Sequence, residues 1–255
     1  MKDELGERMK SNYENITRIY LPRRTYTIIR IDGKAFHTYT ARLEKPFDAQ
    51  LISDMDDTAK YLCESIQGVK FGFVQSDEIS LLLTDFEKYE TCAWFNGNIQ
   101  KIVSVSSSIA TAKFNQLRLM NLASNSEYSL ITSNDISVAN LAMFDSRTFT
   151  IPSINEVINY FIWRQQDTVR NSIQSLAQSL YGTNRLKNKN SSDLQELCFQ
   201  KGHNWNDLEP KLKRGRFIEK IKLENGRTEW VSNECPIFTQ ERNFLFSRIP
   251  NINDF

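Results

Sequence analysis

Hydrophobic positions recur along this chain with two periods, and the alternation between them predicts most of its elements. Tyr26-Thr27-Ile28-Ile29-Arg30-Ile31 is rich in aromatic and β-branched residues and runs into Asp32-Gly33, so a buried strand ends on an acid and a turn residue. Residues 34–40 can open a short helix. Over 48–65, Leu51, Met55, Ala59 and Leu62 fall at helical spacing and predict a longer one. Residues 69–74 and 79–83 read as two strands joined by Gln75-Ser76-Asp77-Glu78, a hairpin with acids at its tip. Phe95, Ile99, Ile102, Val103, Ser106 and Ala110 share one side of a helix predicted over 94–115. A further strand is expected over 140–150, closed by Ile151-Pro152. Ser153, three residues before Glu156, is a capping-box start for a helix running to about Tyr181, where Gly182 stops it.

Strand, helix, strand, strand, helix, strand is the order of a split βαβ, ferredoxin-like unit. The expected class is therefore α+β, an antiparallel sheet with packed helices. Polymerase palms and nucleotidyl cyclases share that architecture, although a fold alone does not fix a function. Residues 1–182 are read as the palm-like catalytic domain. Beyond Gly182 come a polar loop over 184–192, a helix near 194–200 and a run over 204–215 that contains Trp205, Pro210 and three basic residues. With no repeat and no low-complexity linker, 183–255 is read as a basic, helical C-terminal region packed on the palm.

Charge sharpens that reading. The 255-residue chain has a formal net charge of +1, yet residues 185–222 hold ten Lys/Arg against five Asp/Glu, a place for an anionic partner to dock. Composition is that of an ordinary globular protein: 40% hydrophobic and 25% charged. Four cysteines without a C-x-x-C pair, and only two histidines, argue against a zinc cluster. The charged start MKDELGERMK and the lack of an apolar run near the roughly 18 residues that span a bilayer point to the cytoplasm and away from membranes.

Candidate chemistry gathers at two tips. Asp32 ends one strand, and Asp77 with Glu78 sits at the turn of a hairpin expected beside it in the same sheet. Carboxylates gathered in one place repel each other unless cations lie between them. Mg²⁺ suits such a site, because it takes a few hard oxygen ligands and completes its shell with water and phosphate. Two such ions can support an in-line phosphoryl displacement. Gly33 lets a main-chain carbonyl approach a metal, and the amides of Lys34, Ala35, Phe36 and His37 at a helix start could cradle a triphosphate.

The wording of these motifs is specific. Arg30-Ile31-Asp32-Gly33-Lys34-Ala35-Phe36-His37, Lys45-Pro46-Phe47-Asp48, Gln75-Ser76-Asp77-Glu78-Ile79-Ser80 and Trp94-Phe95 with Lys101-Ile102 resemble the tRNA-His guanylyltransferase family. Phe144-Asp145-Ser146-Arg147, Trp163-Arg164-Gln165-Gln166-Asp167, Asn204-Trp205-Asn206-Asp207 and Lys213-Arg214-Gly215 extend the resemblance, in order, over most of the chain. It implies a palm-type enzyme that extends RNA from 3′ to 5′: ATP adenylylates a 5′-monophosphate, and the 3′-hydroxyl of an incoming nucleotide, GTP or another triphosphate, displaces AMP. Carried over motif by motif, Asp32, the Gly33 carbonyl and Asp77 would hold two Mg²⁺ ions, with Glu78 supporting them. Lys34 to His37, Lys45, Asp48 and Ser76 would contact nucleotide, and Lys101 would meet phosphate. Trp163, Arg164, Lys213 and Arg214 would meet tRNA, and the assembly would be a homotetramer.

Two departures refine the expectation. Eukaryotic members carry His-Ile-Asn-Asn-Leu-Tyr-Asn after the Trp-Arg-Gln motif, whereas this chain has Val169-Arg170-Asn171-Ser172-Ile173-Gln174-Ser175. That pattern is similar to the bacterial and archaeal guanylyltransferase-like proteins, which favour templated repair of 5′-truncated tRNAs, with addition of G before tRNA-His as the alternative. Asn98 stands where many relatives have arginine. A palm-fold nucleotidyl cyclase and a non-catalytic tRNA-binding protein are the rival readings. The Gly-Gly-Asp-Glu-Phe hairpin usual in such cyclases is absent.

Overall fold

A computed structural model describes residues 3–124 and 141–254. The chain runs through α1 (Glu4–Met9), β1 (Tyr26–Gly33), α2 (Phe36–Tyr39), α3 (Ala49–Ser65), β2 (Val69–Gln75), β3 (Glu78–Leu83), α4 (Ile99–Ser124) and β4 (Phe144–Ile151). It continues with α5 (Ile154–Tyr181), α6 (Ser191–Gln200), α7 (Pro210–Arg214), β5 (Arg216–Lys222), β6 (Thr228–Glu234) and α8 (Arg242–Phe246). The strands form one antiparallel sheet in the order β4-β1-β3-β2-β5-β6.

Alternation along β1 sorts the two faces of this sheet. Ile29 and Ile31 enter a core with Met55 and Leu62 of α3 and Phe114 of α4. Tyr26 and Ile28 enter a second core with Phe161 of α5 and with Phe217, Phe238 and Leu245 from the C-terminal part. Successive side chains in a strand point to opposite faces, so Arg30 and Asp32 lie on the α5 side. The predicted starts of α3 and α5 carry caps: Asp48 Oδ1 accepts from Leu51 N at 2.7 Å, and Ser153 Oγ accepts from Glu156 N at 3.3 Å.

The elements differ from the sequence expectation in three places. The helix expected from Trp94 begins at Ile99, because Phe95, Asn96 and Gly97 take φ of 49°, 53° and 77° and break any helix there. Asn98, the odd residue of that motif, is the cap: its Oδ1 accepts from Lys101 N at 3.0 Å. The strand expected from Asn140 begins at Phe144, and Asn140 lies outside the described residues. The C-terminal part holds helices α6, α7 and α8, and also a hairpin that the sequence reading did not anticipate. Its strand β5 pairs with β2 through Phe71↔Glu219 to Val74↔Arg216, so the sheet continues across Gly182 into the C-terminal part.

Candidate active site

The strand ends bring the two tips together. Asp32 stands opposite Glu78 across the β1–β3 pair and opposite Asp145 across β1–β4. Asp77 occupies the two-residue turn between β2 and β3, where Ser76 takes a left-handed φ of 45°, and the Asp77 carbonyl accepts from Gly33 N at 3.1 Å. That bond ties the end of β1 to the hairpin tip. Gly33 has a steric reason to be glycine as well: a Cβ there would meet the Phe36 ring at 2.1 Å.

Burial and like charge make this an uneasy place for acids. Burial pushes the Asp77 carboxyl up to about 6, assisted by the negative charges of Asp32 and Glu78 and opposed by a hydrogen bond from Ser76. Asp32 is raised too, by burial first and then by Glu78 and Asp145, against the pull of Arg147 and Arg30. Arg147 Nη2 lies 3.9 Å from Asp32 Oδ2 and 3.2 Å from Asp145 Oδ1. A hard cation fits this donor set, since positive charge would offset the burial and the like-charge repulsion that disfavour the ionised acids. Among the described residues no group of three or more His, Cys, Asp or Glu side chains makes a ready cage. Two carboxylates and a main-chain carbonyl suit Mg²⁺, which keeps positions for water and phosphate.

Two hollows meet at the hairpin tip. One, about 680 Å³, is lined by Asp32, Asp77 and Glu78 on one wall and by Trp163, Arg164 and Asn171 of α5 on the other. The second, about 170 Å³, is lined by Lys45, Asp48, Lys211 and Arg216 and shares Thr40, Gln75 and Ser76 with the first. Gln75 is buried and takes a hydrogen bond from Thr168 of α5, which fixes the wall between them. Together they form a cleft with acids at one end and a smaller, narrower recess at the other.

The other expected residues divide. Lys34, Ala35 and His37 are exposed beside the acids, but Lys34 N already donates to Met143 O at 2.8 Å, leaving the amides of Ala35, Phe36 and His37 as the first-turn donors of α2. Phe36 itself is a core side chain, 5% exposed and packed on Phe114 and Phe144, so only its main chain faces the cleft. Lys45 Nζ reaches the Thr40 carbonyl at 2.9 Å, and Asp48 caps α3. Lys101 is exposed at the start of α4 and does not line either hollow; its ammonium lies 5.8 Å from the Phe95 ring centroid.

Of the residues expected to meet tRNA, Trp163 is 46% exposed on the cleft wall. Lys213 Nζ donates to Asn206 O at 2.6 Å over the Trp205 ring, and Arg214 is half-buried. Arg164 is the most buried of the four. It is 5% exposed, with its guanidinium bonded to Glu78 and Asp167, so it offers no charge to a polyanion in solvent. Residues that sequence reasoning missed are Ser80 and Tyr160, joined at 2.9 Å beneath Glu78, and Thr168 behind Gln75. Ser80 was legible inside its motif; the other two sit on a helix face indistinguishable in sequence from ordinary core.

Comparison with known proteins gives a consistent answer. A family model described as tRNAHis guanylyltransferase (Thg1) matches residues 6–152. An uncharacterised protein of Acanthamoeba polyphaga mimivirus is 28% identical, covering 96% of this chain and 87% of that protein. The tRNA(His) guanylyltransferase of Debaryomyces hansenii is 29% identical, covering 76% and 73%. A bacterial tRNA(His) guanylyltransferase-like protein solved in complex with ATP superposes with a TM-score of 0.84 at 42% identity, over 98% of this chain and 100% of that one. One in complex with GTP gives 0.80 at 42%, over 96% and 99%.

Proposed function

Since the chain belongs to the tRNAHis guanylyltransferase family, we propose that it is a nucleotidyltransferase that adds nucleotides in the 3′-to-5′ direction to tRNA 5′ ends, repairing truncated ones against the opposite strand. The observation that carries the reading is the pair Asp32 and Asp77. Both are raised acids without a full counter-charge, held at adjoining strand ends beside a cleft that runs into a smaller recess. The ATP and GTP complexes of the bacterial relatives support triphosphates as the cleft's occupants.

When bound at Asp32, Asp77 and the Gly33 carbonyl, two Mg²⁺ ions would supply Lewis-acid polarisation and neutralise developing charge on phosphoryl oxygens. The protein's own part is orientation. The Gly33–Asp77 main-chain bond fixes the separation of the two acid-bearing tips. Ser76 and the main chain at the start of α2 border the same mouth and could donate to phosphate oxygens. Lys45 and Asp48 line the recess for the rest of the nucleotide. The Trp163 indole, half exposed on the facing wall, gives an unpaired base a surface to stack on. Such stacking is blind to base identity, which suits an enzyme whose choice of nucleotide comes from a template.

No helix among the described residues is long and apolar enough to cross a membrane, and we place the protein in the cytoplasm with a homotetramer as its assembly. Incorporation of labelled nucleotide with Mg²⁺ and ATP into a 5′-monophosphorylated tRNA lacking its first nucleotide, compared with full-length tRNA-His, tests the activity. Template-matched filling of the truncated end is expected. Preferential addition of G to tRNA-His would replace repair by the guanylyltransferase reaction, and turnover of triphosphate without RNA would point to a cyclase.

A further inference from the structure

Where the two walls of the cleft meet lies an ion pair with no part in the steps above. Arg164 Nε donates to Glu78 Oε1 at 2.8 Å and its Nη2 to Oε2 at 2.6 Å, a two-point grip between residues only 5% and 8% exposed. Ser80 Oγ adds a third donor to Oε1 at 3.2 Å and is joined in turn to the Tyr160 hydroxyl at 2.9 Å. On the far side Asp167 Oδ2 accepts from Arg164 Nη2 at 3.0 Å, and the Trp163 ring centroid lies 4.3 Å from the guanidinium carbon. Tyr160, Arg164 and Asp167 all belong to α5, whereas Glu78 and Ser80 belong to β3. One helix therefore grips the third acid of the cluster directly through Arg164, and Tyr160 and Asp167 of the same helix hold the two groups that donate to it.

Glu78 follows Asp77 in sequence and faces Asp32 across the sheet, so without Arg164 it would be a third free carboxylate beside the other two. A third carboxylate would take a coordination position that Mg²⁺ needs for phosphate or water, and would add repulsion against a triphosphate. We propose that Arg164 is a positioning residue that keeps Glu78 out of the metal shell, so that the site presents two carboxylates to the metals instead of three. The proposal rests on the metal-site reading given above. Glu78 then supports the site by locking β3 to α5 and fixing the hairpin tip that carries Asp77. A guanidinium is needed because its planar fork matches both carboxylate oxygens at once, which an ammonium cannot do.

Mn²⁺ binding to the full chain without nucleotide, followed by the EPR signal of the free ion, separates the roles of these acids from turnover. Glu78→Gln should leave Mn²⁺ affinity within about threefold of wild type, because Glu78 is not a ligand. Arg164→Met should tighten Mn²⁺ binding about tenfold as the released carboxylate joins the metal, lower kcat about 100-fold and raise KM for nucleotide, because that carboxylate takes a phosphate position and repels the triphosphate. The double variant should return Mn²⁺ affinity to the wild-type value and regain about tenfold of the lost kcat, since the two residues act as one unit. Should Arg164→Met fail to fold, as judged by thermal melting, Arg164→Lys provides the comparison, with the same directions and smaller size. A tenfold loss of Mn²⁺ affinity in Glu78→Gln would make Glu78 a ligand and overturn the proposal. A double variant no better than Arg164→Met in either readout would also overturn it. Asp77→Ala in the same titration reports the metal reading by itself: unchanged Mn²⁺ affinity there removes that reading, whatever the Arg164 variants do.

Discussion

Asp77 sits where a carboxylate is least comfortable, and its discomfort has a measurable sign. Its folded value of about 6 exceeds the ordinary 3.8, so between those values the folded protein keeps a proton that the unfolded chain has released. The stability linked to this group is fully present below the unfolded value and is lost as pH rises through 6. Asp77→Asn should therefore stabilise the metal-free protein at pH 7.5 by on the order of 1–3 kcal/mol, seen as a higher melting temperature, and leave it nearly unchanged at pH 4. Adding Mg²⁺ should narrow the gap at pH 7.5 by stabilising only the wild type. Equal melting at both pH values would mean the acid is not strained. At the same scale, Asp32→Ala and Asp77→Ala should each abolish nucleotide addition while tRNA binding, followed by filter retention, stays within about threefold. Either variant working near the wild-type rate would dismiss the metal assignment.

Elements decide how these residues are delivered. The recess depends on where α3 begins, and Asp48 sets that start by accepting from Leu51 N at 2.7 Å and from Glu44 N at 3.3 Å. Asp48→Ala should cost about 1 kcal/mol in denaturant unfolding, whereas Asp48→Asn should retain most of the cap. If Asp48 also touches nucleotide, both changes raise KM for the triphosphate; a normal KM in both leaves it a cap alone. The same scale shows what pattern reading could reach. The β1 strand, the hairpin tip and the caps of α3 and α5 were legible because their signals are local: β-branched runs, a polar turn, an oxygen three residues before an amide. The false start of α4 was also avoidable, since Asn96-Gly97-Asn98 is turn chemistry, overridden here by the helical spacing of Phe95 and Ile99. The β5–β6 hairpin was hidden by its charge. Arg216, Glu219, Lys220 and Lys222 resemble a solvated helix face, although Asn225-Gly226, with Gly226 at φ 80°, marked the turn.

At the scale of the whole molecule the C-terminal part is structural before it is basic. Phe217, Phe238 and Leu245 complete the core that begins with Tyr26, Ile28 and Phe71, and β5 covers what would otherwise be an open β2 edge. A chain ending at Gly182 should therefore be insoluble or lack a cooperative melting transition, because it exposes an apolar face and an unpaired strand edge together. A soluble, cooperatively melting fragment would show that residues 1–182 stand alone. Charge acts over the same distance. Replacing Lys213 and Arg214 by alanine should lower the slope of log affinity against log salt for tRNA by about 0.7–0.9 per lost phosphate contact. Since Lys213 is already bonded to Asn206 and Arg214 is half-buried, a fall of less than one contact in total would take this pair out of the interface.

The sequence by itself determined the order of the palm elements, the acids at two tips and the family, because periodicity, turn chemistry and motif wording are properties of neighbouring residues. Only the tertiary structure decided which acid is free and which is bound. Glu78 and Arg164 are 86 residues apart, and nothing local to either announces that α5 will lay a guanidinium across both oxygens of that carboxylate. The same holds for the strands added to the sheet by the C-terminal part and for the face of β1 on which α4 packs. Each is settled by packing across the sheet, where burial and pairing depend on residues far apart in the chain.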